Sequence, residues 1–197
     1  YITHCDSDDW VDEDMYKLLY EKGEKENLDY VVCNYFETDG LNKKEIRQQF
    51  SPIKTDMMFS FFTLWCKIVR RSLYTNNKLM YPIGNMGEDR VYTAQLAWYA
   101  TSFGFVDKPL YYYYSNQESI VHTIDKDKCI SIFQQRKDNT DLICAFIDAN
   151  TIEGCRSNMT ILKLQTLSWL YPFLYDNSIY KLWKKTYTEL FKDCKTL

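Results

Sequence analysis

Four residues near the start of the chain, Asp6-Ser7-Asp8-Asp9, put carboxylates at alternate positions directly behind a short β-prone stretch, Tyr1-Ile2-Thr3-His4-Cys5. A strand that stops at an acidic cluster delivers side chains to a sheet edge. A turn there can aim Asp6 and Asp8 at one hard cation and leave coordination sites for diphosphate oxygens. Such a cation offsets the charge of a departing nucleoside diphosphate. The plainer reading of the same acids is a solvated turn that caps the following helix.

A second group, Met86-Gly87-Glu88-Asp89, combines a glycine that permits a tight approach with a carboxylate at a helix start, where it can face a cleft as a general base. Helix capping accounts for the same pattern. Two other acidic chemistries fail on the residues. An EF-hand loop needs glycine at its sixth position, where counting from Asp6 gives Val11. The D-x-D-x-Thr or Val pattern of haloacid-dehalogenase-like phosphatases meets Trp10 at its fifth place. His122 reads as a surface histidine, with a metal or phosphate ligand as its other reading.

The elements that must position these acids follow from pattern and punctuation. Asp12, Glu13 and Asp14 open a helix to about residue 27, with Met15, Leu18 and Leu19 at core-facing spacing. Residues 29–36 form an apolar run expected to be a buried parallel strand, and 37–51 read as a polar excursion. A helix is expected over 59–73, closed by Arg70 and Arg71 on dipole grounds, and another from Glu88-Asp89 to about 101. A β pair, 103–106 and 110–114, is expected across an Asp107-Lys108-Pro109 turn. Beyond 125 three amphipathic helices are drawn around 129–149, 159–171 and 179–194. The fold class is thus α/β, with a boundary near 124 separating 1–124 from a helical subdomain, 125–197. A strand at residue one falls inside a core element rather than in a linker, so preceding sequence is expected to be missing.

Composition bounds the function. With 24 basic against 27 acidic side chains the net charge is -3, which offers no broad attraction to a phosphate backbone, so no nucleic-acid partner is expected. Seven scattered cysteines without a C-x-x-C pair fit a reducing compartment rather than zinc or redox work. The sequon Asn158-Met159-Thr160 reads as a chance match. The apolar stretch 160–175 is interrupted by Lys163, Gln165 and Pro172 and is too short to span a bilayer. Tyr180-Lys181-Leu182-Trp183-Lys184-Lys185 reads as a solvated helix face, or as a peripheral contact with an anionic membrane.

Taken in order, Tyr1-Ile2 through Asp6-Ser7-Asp8-Asp9-Trp10, Trp65-Cys66-Lys67 with Arg70-Arg71, Gly87-Glu88-Asp89, and Pro109-Leu110-Tyr111-Tyr112-Tyr113 resemble family 2 glycosyltransferases of the GT-A fold, over residues 1–124. The resemblance implies a partial GT-A mixed sheet with flanking helices, lacking the N-terminal nucleotide-binding segment. It implies that Asp6 lies near ribose and metal, that Asp8 ligates Mg2+ or Mn2+, that Asp89 deprotonates the acceptor hydroxyl and that Glu88 assists acceptor binding. The implied reaction is inverting transfer from a nucleotide sugar to a saccharide or lipid-linked acceptor, with residues 37–51 lining the acceptor cleft. The cysteines place the chain in the cytoplasm, peripheral contact with the inner face of the membrane is the second reading of the 180–185 tail, and missing strands leave a sheet edge open to association with another chain. One departure is Tyr114-Ser115-Asn116, where relatives commonly carry a basic residue. The alternative is a non-catalytic carbohydrate- or protein-binding module in which the acids are structural and aromatics form a platform.

Overall fold

In the computed structural model of the chain, which describes residues 1–82, 84, 86–115 and 125–192, five strands form one mixed sheet: β1 (Trp10–Val11), β2 (Tyr30–Thr38), β3 (Lys43–Ile46), β4 (Lys67–Val69) and β5 (Phe103–Tyr114). His122 and Cys194 lie outside the described residues. β2 is the organising strand, and its first five residues are all buried. β5 runs parallel to it, while β3 and β4 pair with it antiparallel. β1 joins the far side of β5 through Trp10–Tyr112 and Val11–Tyr111, giving the order β1-β5-β2-β3 with β4 beside the first part of β2.

Helices α1 (Met15–Lys25), α2 (Lys54–Phe59), α3 (Arg71–Asn76) and α4 (Asp89–Tyr99) accompany the sheet. α1 buries Met15, Leu19 and Gly23, and Met15 and Leu19 pack with Val31, Cys33, Ile68 and Leu110 of the strands. The acids before α1 act locally: the Asp12 carboxylate accepts from the backbone N–H of Asp14 at 3.1 Å.

Four expectations are corrected. Residues 1–5 form no strand, only an isolated antiparallel bridge from Ile2 to Val69. The helix expected over 59–73 is instead the end of α2, then β4, then α3. Lys67, Ile68 and Val69 are all buried because they pair with Val32, Val31 and Tyr30, and a short apolar run has no period to distinguish strand from helix. Arg70 therefore precedes a helix rather than closing one, and it pairs with Asp29 at 3.2 Å. The polar excursion 37–51 contains β3, in a hairpin whose loop is held by Asp39 Oδ1 accepting from the N–H groups of Leu41 and Asn42. Finally, 103–114 is one strand. The register moves from Cys33–Val106 to Asn34–Pro109, and this irregularity absorbs the Asp107-Lys108 insertion, with Asn34 Nδ2 donating to Asp107 Oδ1 at 2.9 Å.

The chain divides into two compact units, Tyr1–Tyr81 with Asp89–Ser119, and Pro82–Glu88 with Ile120–Leu197. The second contains α5 (Lys126–Ala149), α6 (Arg156–Ser168) and α7 (Asn177–Leu190), as the apolar spacing predicts. Asp125 and Asp176 cap α5 and α7, their side chains accepting from Lys128 N–H and Ser178 N–H. Cys129, Phe133, Leu167, Leu170, Ile179 and Leu190 form its core. No described helix is long and apolar enough to cross a membrane.

Gly104 shows how tightly β5 is seated: a β-carbon there would stand 2.3 Å from Leu28 Cδ1, itself buried. Gly104→Ala is expected to lower stability by about 1–3 kcal/mol. The check is the urea midpoint at unchanged slope; a wild-type midpoint would mean that Leu28 yields freely.

Candidate functional site

The acid turn is anchored by one phenol. Tyr111, fully buried on β5, accepts from the backbone N–H of Asp6 at 3.1 Å and donates its hydroxyl to Asp9 Oδ2 at 2.6 Å. Asp9 Oδ1 accepts from the Tyr114 N–H at 2.7 Å, and the Asp12 N–H donates to the Leu110 carbonyl at 2.9 Å. Alternation along β5 makes this possible. Tyr111 and Tyr113 stack on Trp65, with ring centroids 4.5 and 5.5 Å apart, while Tyr112 turns to the other face and stacks on Trp10 at 5.4 Å. Asp9 is thus the structural acid of the group.

Asp6 and Asp8 are exposed, and their carboxylates have no protein partner among the described residues. Partial desolvation, and then the charges of Asp9 and Asp8, push the Asp6 carboxyl above its ordinary range. Crowded acids without cationic partners are what a hard cation would relieve. Among the described residues no three His, Cys, Asp or Glu side chains are grouped to surround an ion. An ion bound at this turn would take at most the Asp6 and Asp8 carboxylates from it and would complete its shell with water and ligand oxygens, as Mg2+ can, since the described residues offer no all-protein cage.

Asp89 is the first residue of α4, and its carbonyl accepts from Thr93 Oγ1 at 2.7 Å. A carboxylate in a first helical turn is favoured by the helix dipole. Glu88, the preceding residue, lines an open pocket in the helical unit with Lys128, Ser131 and Gln135. The loop before it is pinned to α5, where Gln135 Oε1 accepts from Met86 N–H at 2.6 Å and Asn139 Nδ2 donates to the Met86 carbonyl at 3.1 Å.

Lys67 closes the Trp65-Cys66-Lys67 motif, and the sequence alone assigns it no role. It is fully buried, and its ammonium donates to the Tyr30 hydroxyl at 2.8 Å and to the Phe61 carbonyl. Burial lowers its pKa to about 8, against the opposing influence of Cys66, Asp89 and Cys33. Burial also pushes both thiols up, so they stay neutral and Asp89 is the formal charge among these three. The only advance signal was a lysine inside an apolar β-capable run.

No family model matches the chain. The crystal structure of S. aureus TarS 1–349 in complex with UDP-GlcNAc superposes with a TM-score of 0.66 at 14% identity, covering 96% of this chain and 56% of TarS. The chain therefore has a glycosyltransferase fold of the GT-A type, as its motifs in order imply. In sequence it is 29% identical over 140 residues to EpsH of Bacillus subtilis (strain 168), which carries a glycosyltransferase name, covering 64% of this chain and 40% of EpsH. It is 24% identical over 131 residues to the glycosyltransferase GlyA of Streptococcus pneumoniae serotype 4 (strain ATCC BAA-334 / TIGR4), covering 57% of this chain and 18% of GlyA. The chain thus spans less than half the length of either sequence relative.

Replacing Tyr111 by Phe removes the hydroxyl shared by Asp6 and Asp9 without touching the stacked ring. It is expected to cost about 1–3 kcal/mol, because the Asp9 carboxylate loses one of its two donors and the Asp6 N–H loses its acceptor. Chemical denaturation at neutral pH measures this, and an unchanged midpoint would show that the clamp carries no stability.

Proposed function

We propose that this chain is the metal- and acceptor-binding part of an enzyme that transfers a sugar from a nucleotide sugar to a saccharide or lipid-linked acceptor, with inversion at the anomeric carbon. The observation that carries the reading is that the Asp6 and Asp8 carboxylates have no protein partner among the described residues, on a turn that Tyr111 anchors through the Asp6 N–H and the Asp9 carboxylate. Residues 1–124 supply the transfer chemistry in this reading, and 125–197 the helical subdomain. The UDP-GlcNAc in the TarS complex supports a nucleoside-diphosphate sugar as donor.

In this mechanism Asp89 accepts the proton of the acceptor hydroxyl as that oxygen attacks the anomeric carbon. The bond from that carbon to the diphosphate oxygen breaks, and the diphosphate leaves with the electron pair. A bound Mg2+ or Mn2+, held by Asp8 and Asp6, supplies neutralisation of the leaving charge. Asp9 and Tyr111 keep the turn in place, and Glu88 assists acceptor binding.

The setting is a cytoplasmic enzyme of bacterial polysaccharide assembly, peripheral to the inner face of the membrane. α7 supplies the contact: Lys181, Lys184, Lys185 and Lys192 line one open groove, and Tyr180 and Tyr187 are exposed beside it. A second reading, a non-catalytic carbohydrate-binding module, draws on Trp10, which is 43% exposed and stacked on Tyr112. Saccharide binding undiminished by EDTA and independent of nucleotide would favour that reading.

Asp89→Asn in the full-length protein is expected to reduce kcat by about 10²–10⁴-fold with the donor KM little changed. Steady-state kinetics decides, and wild-type turnover would remove the base assignment. The raised Asp6 carboxyl also fixes a pH dependence. A proton competes with the cation at higher pH than for an ordinary aspartate, so Mn2+ affinity falls on acidification toward the carboxylate range and starts to fall earlier than an unperturbed aspartate would set. Calorimetric titration across that range, with Asp6→Asn flattening the dependence, tests it.

A further inference from the structure

The Phe61 carbonyl belongs to an unusual turn. Phe61 and Cys66 both adopt left-handed backbone angles, with φ of 51° and 52°, although neither is glycine. Bulky residues stay in that region only where their surroundings hold them. At one end the hold is Lys67, donating to the Phe61 carbonyl and to Tyr30 on β2. At the other end Cys33 N–H donates to the Cys66 carbonyl at 3.0 Å, and Gln48 Nε2 donates to the Cys66 sulfur at 3.3 Å.

The held turn also touches α4. Thr93 Oγ1, which donates to the Asp89 carbonyl, also reaches the Phe62 carbonyl at 3.4 Å. The Arg90 guanidinium lies 4.5 Å above the centre of the Phe62 ring. Arg90 in the first turn of α4 and Thr93 at the start of the second are thus docked on Phe62, the neighbour of the residue that Lys67 grips. A buried lysine satisfied by two neutral oxygens is a costly way to stabilise a fold, since an apolar side chain of similar shape commonly does as well or better.

We propose that Lys67 is a positioning residue for Asp89: its buried ammonium ties the 61–66 turn to β2 and thereby fixes the first turn of α4, which carries the Asp89 carboxylate. The proposal rests on the reading of Asp89 as the base. It predicts that Lys67 serves turnover rather than stability or donor binding.

The test compares Lys67→Met, Tyr30→Phe and Asp89→Asn in the full-length protein by kcat, donor KM and melting temperature. Lys67→Met is expected to lose about tenfold in kcat, with donor KM within about twofold and a melting temperature unchanged or raised. Tyr30→Phe removes a single oxygen and is expected to lose about threefold in kcat with the same KM; it decides the matter if Lys67→Met fails to fold. Wild-type kcat in either folded variant, with Asp89→Asn impaired, overturns the proposal and leaves the base reading standing. A joint fall of melting temperature and rise of KM at unchanged kcat assigns Lys67 a merely structural role and also overturns it. Full turnover in Asp89→Asn removes the base reading and the proposal with it.

Discussion

Electrostatic repulsion among neighbouring acids is the constraint around which the first unit is arranged. Asp6, Asp8 and Asp9 sit in four consecutive residues, and like charges so close do not hold a turn together by themselves. The Tyr111 hydroxyl resolves this by accepting from the Asp6 backbone and donating to the Asp9 carboxylate. One acid is thereby converted into an anchor, and the carboxylates of the other two have no protein partner among the described residues. The parallel pairing of β5 with β2 sets where that hydroxyl stands, because Tyr111 lies opposite Tyr35 only after the register shift beside Asn34.

Burial of charge is the second organising cost, and the fold handles it in two ways. At the rim, charges are satisfied in pairs, as in Arg70 with Asp29 and Lys126 with Asp176; exposed or half-exposed pairs of this kind contribute little to stability. In the interior Lys67 is satisfied by neutral oxygens, with Asp89 as the formal charge that acts on it. The second arrangement specifies geometry more than it stabilises, which is why interior charge in this unit coincides with left-handed backbone at Phe61 and Cys66.

Much of the architecture was legible because it depends on local pattern. Met15 and Leu19, the apolar run at β2 and the spacing of the last three helices each carry their own period. The acidic turn and the α4 start were likewise visible as local clusters. What escaped depends on distant partners. β4 is a strand only because β2 supplies its hydrogen bonds, and Pro109 lies within a strand only because an irregularity removes the need for its missing N–H. The separate role of Asp9 was hidden for the same reason: its partner Tyr111 lies 102 residues away, and nothing in Asp6-Ser7-Asp8-Asp9 distinguishes an anchor from a ligand. Lys67 was hidden too, since a lysine in an apolar run carries no label for what it will grip.

The stacking of Trp65 on Tyr111 has an optical consequence. The indole lies nearly parallel to the phenol, 9° between planes, so the chain carries its own fluorophore in contact with the ring that holds the acid turn. Five tryptophans share the emission, yet Trp65 is buried and Trp10, on the opposite face of β5, is open to solvent. A quencher dissolved in the buffer silences Trp10 far more than Trp65, and the part of the emission that comes from Trp65 follows the surroundings of Tyr111.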